Sequence, residues 1–102
     1  MEFRFADKCI ERVYTEGRSA RAARRYPPEV VKLFFRRIAS IDAALTEMDL
    51  YQLKGARLEK LKTKPGIYSM RLNDQWRLEL NFEETPEGRV VIIRDISKHY
   101  GD

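Results

Sequence analysis

The sequence is poor in the side chains that metal sites, disulfides and redox centres require. Its 102 residues include one cysteine and one histidine, Cys9 and His99. A single cysteine excludes an internal disulfide, and Cys9 has no neighbouring cysteine or histidine with which to form a CxxC-type zinc site. We therefore expect Cys9 to be a small core residue, and we expect the protein to use neither a metal ion nor another cofactor.

Long apolar segments are also missing. No run approaches the roughly 18 residues of a membrane span, and the first residues, MEFRFADK, lack the apolar segment of a signal peptide. We expect a cytoplasmic protein without membrane contact. The sequence contains no glycine-rich phosphate loop, no carboxylate cluster typical of a two-metal nuclease and no convincing Ser/His/Asp set.

Charged residues are abundant, and the positive ones are concentrated in two segments. Twenty lysines and arginines against 16 aspartates and glutamates give a formal net charge of +4, a modest preference for anionic partners. Residues 54–64, KGARLEKLKTK, hold five cations and one acid, whereas residues 17–25, GRSARAARR, hold four arginines and no acid. Arg18, Arg21 and Arg25 are predicted on one helical face, which either binds RNA or is solvated.

Apolar spacing predicts helices in the first half of the chain. Residues 1–5 alternate as a short strand does, and Asp7 can cap a helix that ends near Gly17. The clearest helix runs from 28 to about 45, and its apolar residues recur three or four positions apart. They are Val31, Phe34, Phe35, Ile38, Ile41 and Leu45. A short capped turn or helix is predicted at 46–50.

Strands are predicted in the second half, at 57–62, in a hairpin at 67–82, and at 89–96 after a turn at 86–88. Helices followed by such strands indicate an α+β fold, with N-terminal helices packed on one face of a small antiparallel sheet and the other face free. A chain of this length is expected to form one domain, residues 1–102.

The hairpin segment 70–80, MRLNDQWRLEL, predicts an unusual pairing. Placing Leu72 opposite Trp76 keeps the apolar side chains on one face and sets Arg71 opposite Arg77 on the other. Like charges so placed repel each other unless an anion such as a phosphate binds between them. The alternative is that Glu79 and other acids neutralise the two arginines in a surface network, and the sequence leaves both interpretations open.

Groups suited to proton transfer are present near the same elements. His99 follows the last strand, Tyr100 follows His99, and Glu59 lies on the first strand of the β half. RNA cleavage by attack of the 2′-hydroxyl on the adjacent phosphate requires a base, an acid and cations, and it requires no metal. Although a lone histidine is more often an ordinary surface residue, these groups together favour such chemistry.

Several segments resemble the HigB branch of the RelE-like toxins. They are RLEKLK (57–62), YSMRLNDQWRLEL (68–80), the terminal KHY, FADKCIERVYTEG (5–17) and PPEVVKLFFRRIASIDAA (27–44). The resemblance implies a RelE-like, microbial-RNase-like α+β fold and ribosome-dependent cleavage of mRNA in the decoding site of the 30S subunit. It also implies neutralisation by a HigA-type helix-turn-helix antitoxin, and hence a hetero-oligomer.

The same resemblance implies roles for individual residues. Lys62 and Arg77 are expected to hold the scissile phosphate, and His99 is expected to be catalytic. Arg71 and Gln75 are expected where the hairpin meets the nucleotide. From the basic segment 54–64, Arg57, Lys60 and Lys64 are also expected to bind RNA. Tyr68 and Trp76 are expected in the core, and Arg36 and Arg37 in solvent.

Two positions depart from the family pattern. Many members end Asp-Tyr-His, whereas this chain has Ser97-Lys98-His99-Tyr100. Some relatives carry a histidine where this chain has Glu59, a carboxylate that either acts as the base or pairs with Lys62 or Arg77. The alternative function is therefore a non-catalytic module that binds RNA or an antitoxin on the same fold.

Overall fold

The structure is a computed structural model that describes residues 1–98. Its main elements, in chain order, are β1 (Phe3–Phe5), α1 (Lys8–Glu16), α2 (Pro28–Ala43), α3 (Glu47–Tyr51), β2 (Glu59–Lys60), β3 (Tyr68–Arg71), β4 (Trp76–Thr85) and β5 (Gly88–Lys98). Helices therefore precede most of the strands, as predicted. No helix in this part of the chain is long and apolar enough to cross a membrane.

The helix ends follow from local sequence. The Asp7 side chain accepts a hydrogen bond from the Ile10 amide at 2.9 Å and caps α1, as predicted. Thr46 and Asp49 form a capping box at α3. The expectation that α2 extends to Leu45 is wrong, because the Leu45 amide donates to the Asp49 carboxylate and thereby belongs to the α3 cap. Leu45 is 87% exposed.

The arginine-rich segment 17–25 differs from its prediction. It forms two short 3₁₀ helices, Gly17–Ser19 and Arg21–Arg25, separated at Ala20, whose backbone is extended and whose side chain is buried. Burial of Ala20 breaks the helical path, so Arg18, Arg21 and Arg25 do not share one helical face, although all three are exposed.

The five strands form one sheet in the order β1-β5-β4-β3-β2. The last four strands along the chain are antiparallel, as predicted, whereas β1 pairs in parallel with β5 at one edge and makes the sheet mixed. β2 is shorter than the predicted strand 57–62. Arg57 has a φ of +47°, outside the extended region, so pairing begins only at Glu59.

The helices pack on one face of the sheet, as expected. Fully buried side chains of α2 meet those of the central strands, and they include Phe34, Ile38, Ile41, Met70, Leu78, Leu80 and Ile93. Tyr68 and Trp76 are partly buried against this core, as predicted. Cys9 is exposed and is not a core residue, because α1 directs its neighbour Ile10 inward instead.

Candidate nucleic-acid interface

Arg71 and Arg77 lie directly opposite each other on β3 and β4, in the predicted register. The Leu72 amide donates to the Trp76 carbonyl oxygen at 2.9 Å. The two arginines therefore form a non-hydrogen-bonded pair, the closer type of antiparallel pair, whose Cα atoms are typically about 4.5 Å apart. Both residues are partly buried. Burial, and then the charge of Arg71, lower the pKa of Arg77.

The hairpin turn fixes the orientation of the Arg77 guanidinium. The Asn73 side chain accepts hydrogen bonds from the amides of Gln75 and Trp76, at 3.0 and 2.9 Å. Nη1 of Arg77 donates to the carbonyl oxygens of Asn73 and Trp76, at 2.7 and 3.1 Å. Within residues 1–98 no carboxylate forms an ion pair with Arg77, so its direct partners are backbone carbonyl oxygens, and Glu59 and Asp74 act on its charge only from a longer distance.

Acidic residues occupy the row beside the arginines. Sheet register places Glu59, Ser69, Glu79 and Asp95 side by side on four adjacent strands. The expectation that this face is free is wrong at Ser69 and Glu79, which are buried. Both carboxylate oxygens of Glu79 accept from Lys64 Nζ, at 3.0 and 3.2 Å, which offsets the cost of burying the acid. Glu79 therefore neutralises Lys64 rather than the arginines.

Arg71 and Glu59 show how far acids neutralise the remaining cations. Arg71 pairs with Asp74 in the hairpin turn, a carboxylate that is almost fully exposed. Glu59 is exposed, and its charge raises the pKa of Arg77, although burial and Arg71 outweigh it. Among the described residues Glu59 forms no ion pair with Lys62, Arg77 or any other cation. Of the two arginines, only Arg71 is therefore neutralised by an acid in an ion pair, and that acid is Asp74 rather than Glu59.

The other predicted RNA-binding residues are only partly brought together. Arg57 is exposed, and its charge lowers the pKa of Arg77, so it belongs to the same cluster. Lys62 and Gln75 are exposed beside the sheet, in the segment after β2 and in the hairpin turn. Lys60 lies opposite Tyr68 and therefore faces the helix side of the sheet, since facing residues share a face. Lys60 therefore does not share the face of Arg71 and Arg77, and its RNA-binding role stays a prediction.

The two C-terminal candidates, His99 and Tyr100, lie outside the described residues, so their roles stay predictions. The described chain ends at Lys98, which lies opposite Trp76 beside the Ser97–Arg77 pair. A β-bulge between Glu79 and Leu80 shifts the register in which β4 pairs with β5. In residues 1–98 no group of His, Cys, Asp or Glu side chains is arranged to hold a metal ion.

Arg37 is part of this region, and the prediction that it is solvated is wrong. It is partly buried, and its Nε donates to the Arg71 carbonyl oxygen at 2.9 Å. Burial, and then the charge of Arg71, lower the pKa of Arg37. The available signal was its spacing, because it follows Phe34 by three residues and precedes Ile41 by four, on the buried stripe of α2. Arg36 is exposed, as predicted.

Comparison with known proteins gives consistent results. Residues 3–92 match the HigB-like toxin family, described as "RelE-like toxin of type II toxin-antitoxin system HigB". Toxin HigB-1 of Vibrio cholerae serotype O1 is 34% identical over 79 residues, which cover 76% of this chain and 80% of that protein.

Similar solved structures carry toxin names as well. In the YoeB-YefM complex from Staphylococcus aureus, the matching chain is 21% identical with a TM-score of 0.58, and 98% of each chain is covered. The YoeB/ParE toxin from Agrobacterium tumefaciens is 14% identical with a TM-score of 0.59, covering 98% of this chain and 100% of that chain. These structures share the α+β fold.

Proposed function

The chain belongs to the HigB-like family of RelE-like toxins and is the toxin of a type II toxin-antitoxin system, and from this premise we propose that it cleaves mRNA positioned in the ribosome. The observation that carries the proposal is the Arg71–Arg77 pair at the hairpin end of the sheet. A phosphate bound there relieves the mutual repulsion of the two guanidinium groups, and the arginine fork matches phosphate oxygens.

The proposed reaction needs no metal. The 2′-hydroxyl oxygen attacks phosphorus while the bond from phosphorus to the 5′-oxygen breaks, leaving a 2′,3′-cyclic phosphate and a free 5′-hydroxyl. Glu59 accepts the proton of the 2′-hydroxyl, since its exposed carboxylate is not engaged in an ion pair within residues 1–98. His99, beside Tyr100, donates a proton to the 5′-oxygen.

Cations then stabilise the charge that develops on the phosphate oxygens. Arg77 is best prepared for this role, because two backbone carbonyl oxygens already orient its guanidinium. Arg71 and Lys62 are assigned supporting contacts with the scissile phosphate, and Arg57 and Gln75 contacts with the flanking RNA. Lys64 is assigned no RNA contact, since it is engaged by Glu79.

As a type II toxin the protein is paired with a protein antitoxin. We propose a HigA-type helix-turn-helix antitoxin that forms a hetero-oligomer with it, and we propose the cytoplasm, where ribosomes translate mRNA, as its place of action. Coexpression of the toxin with such an antitoxin is expected to restore growth that the toxin alone arrests. Continued arrest despite an expressed, folded antitoxin would exclude this partner.

Primer extension on a defined mRNA translated in vitro tests the activity. Wild-type protein is expected to produce discrete cuts at ribosome-positioned codons, and none on the same RNA without ribosomes. His99→Ala and Arg77→Ala are expected to lower the cleavage rate by roughly 10²-fold or more, because each removes a group that acts in the transition state. Arg12→Ala removes an exposed arginine of α1 and serves as the matched control.

Each outcome has a distinct meaning. Cuts that persist in both variants would exclude the proposed roles of His99 and Arg77. Cuts on ribosome-free RNA would exclude ribosome dependence but not RNA cleavage. Intact mRNA with active ribosomes and folded wild-type protein would favour the alternative, a non-catalytic module that binds RNA or the antitoxin.

A further inference from the structure

The side chain of Arg37, on α2, reaches the outer edge of β3 beyond the end of β2, where no strand within residues 1–98 pairs with β3. β2 pairs only with Tyr68 and Ser69, so the outward-facing backbone groups of Arg71 lack a ladder. The Arg71 amide donates instead to the Ala56 carbonyl oxygen at 2.6 Å, and the Arg71 carbonyl oxygen accepts from Nε of Arg37 at 2.9 Å. Helix α2 thus delivers a guanidinium to the backbone of one member of the arginine pair.

The hydrogen bond from Arg37 to the Arg71 carbonyl oxygen does not require a charged side chain. A single hydrogen bond to a carbonyl oxygen needs one neutral donor, whereas a guanidinium brings a full positive charge and further N–H groups. Within residues 1–98 no carboxylate forms an ion pair with Arg37. Burial and the charge of Arg71 both disfavour its protonated form and lower its pKa. The local arrangement therefore carries an uncompensated positive charge.

The backbone of Gly55 lies close to this guanidinium. Gly55 is the flanking residue, and a Cβ atom placed there would lie 3.8 Å from Nη2 of Arg37. Gly55 has a φ of +79°, a conformation that side chains rarely adopt. Gly55 thus passes beside Arg37 without contributing a side chain.

We propose that Arg37 binds a second phosphate of the RNA strand, next to the scissile phosphate held by Arg71 and Arg77. This assignment rests on the proposed function, because it takes single-stranded RNA as the ligand. The anion supplies the negative charge that no ion pair within residues 1–98 gives Arg37, and the guanidinium keeps its backbone contact through Nε while its terminal nitrogens contact phosphate oxygens. A second phosphate-binding position fixes the direction in which the RNA strand crosses the β3–β4 hairpin.

Salt dependence separates a phosphate contact from a purely structural role. The probe is a fluorescently labelled single-stranded RNA oligomer, and its dissociation constant for the full-length protein is measured over a series of NaCl concentrations. The logarithm of the association constant falls linearly with the logarithm of the salt concentration, and loss of one phosphate contact is expected to make this slope less steep by roughly 0.7. Loss of one charge-assisted hydrogen bond weakens binding at low salt by roughly tenfold.

Three variants are compared with wild type. Arg37→Gln is expected to show both the weaker binding and the smaller slope. Arg37→Lys keeps the charge but not the fork, and it is expected to retain the slope with a smaller loss of affinity. Arg36→Gln removes the exposed neighbouring charge on α2 and is expected to leave the slope unchanged, which controls for net charge.

Thermal unfolding identifies any variant whose fold is disturbed. If Arg37→Gln unfolds at a lower temperature than wild type, the RNA affinity of Arg37→Lys is compared with that of Arg36→Gln instead. If Arg37→Gln is folded, wild-type affinity together with an unchanged slope overturns the proposal. A wild-type protein that does not bind the oligomer at low salt overturns it too. If the protein cleaves mRNA but Arg37→Gln leaves the salt dependence of RNA binding unchanged, the second phosphate position is wrong and the proposed function is unaffected. If the variants change the salt dependence as expected but the protein does not cleave mRNA, the phosphate position is supported and the proposed enzymatic activity is wrong.

Discussion

Arg77 and Arg89 lie near opposite ends of the β4–β5 hairpin, and their surroundings differ. Arg89 pairs with Glu47 and with Glu84, the latter at 2.7 Å, and its guanidinium lies 5.1 Å from the centre of the Phe82 ring. Arg77 donates to two backbone carbonyl oxygens and has no acidic partner within residues 1–98. An arginine held by acids stabilises the surface, whereas one oriented by carbonyl oxygens keeps its charge for another partner.

The largest expected difference is in the cleavage rate, between substitution of an acid near Arg77 and substitution of an acid near Arg89. Glu59→Gln removes the proposed base at the arginine end and is expected to lower the single-turnover cleavage rate by roughly 10² to 10⁴-fold. Glu84→Gln removes an exposed acid that pairs with Arg89 and is expected to leave the rate unchanged. Cleavage by ribosomes programmed with one defined mRNA measures both. Equal rates for the two variants would remove Glu59 from the reaction.

The Lys64–Glu79 pair beside the arginine end provides a contrast in stability. Lys64→Ala leaves the buried carboxylate of Glu79 without its partner and is expected to lower the free energy of unfolding by about 1 to 3 kcal/mol. Lys60→Ala removes an exposed lysine from the same segment and is expected to change it by less than about 0.5 kcal/mol. Denaturant unfolding gives both values, and similar losses would mean that Lys64 does not stabilise the buried acid.

The smallest effect is expected at Arg89. Because Arg89 and Glu84 are exposed and Glu47 is only partly buried, solvent screens these ion pairs, and Arg89→Ala is expected to lower the free energy of unfolding by about 0.2 to 1 kcal/mol and to leave mRNA cleavage intact. Denaturant unfolding and primer extension measure the two quantities. A large loss of cleavage in this folded variant would show that both ends of the hairpin act on RNA, and the contrast between Arg77 and Arg89 would then fail.

Local sequence was sufficient for the parts of the fold that depend on neighbouring residues. Asp7 caps α1, and Thr46 with Asp49 caps α3, because a cap requires only a side chain within reach of the next backbone amides. The length of α2 was overestimated because Leu45 continues the apolar spacing although the α3 cap already engages its amide. A single domain over residues 1–102 and the roles of His99 and Tyr100 stay predictions.

The sequence by itself determined that Arg71 faces Arg77. Strand side chains alternate with a period of two, so burying Leu72 and Leu78 on one face excludes a one-residue shift, and the three-residue connection 73–75 then selects the register. Tertiary structure decided the charge contacts between residues far apart in the chain. Arg37 is 34 residues from Arg71 and Lys64 is 15 residues from Glu79. Those contacts depend on how α2 and the segment before β3 pack across the sheet, which no local pattern specifies.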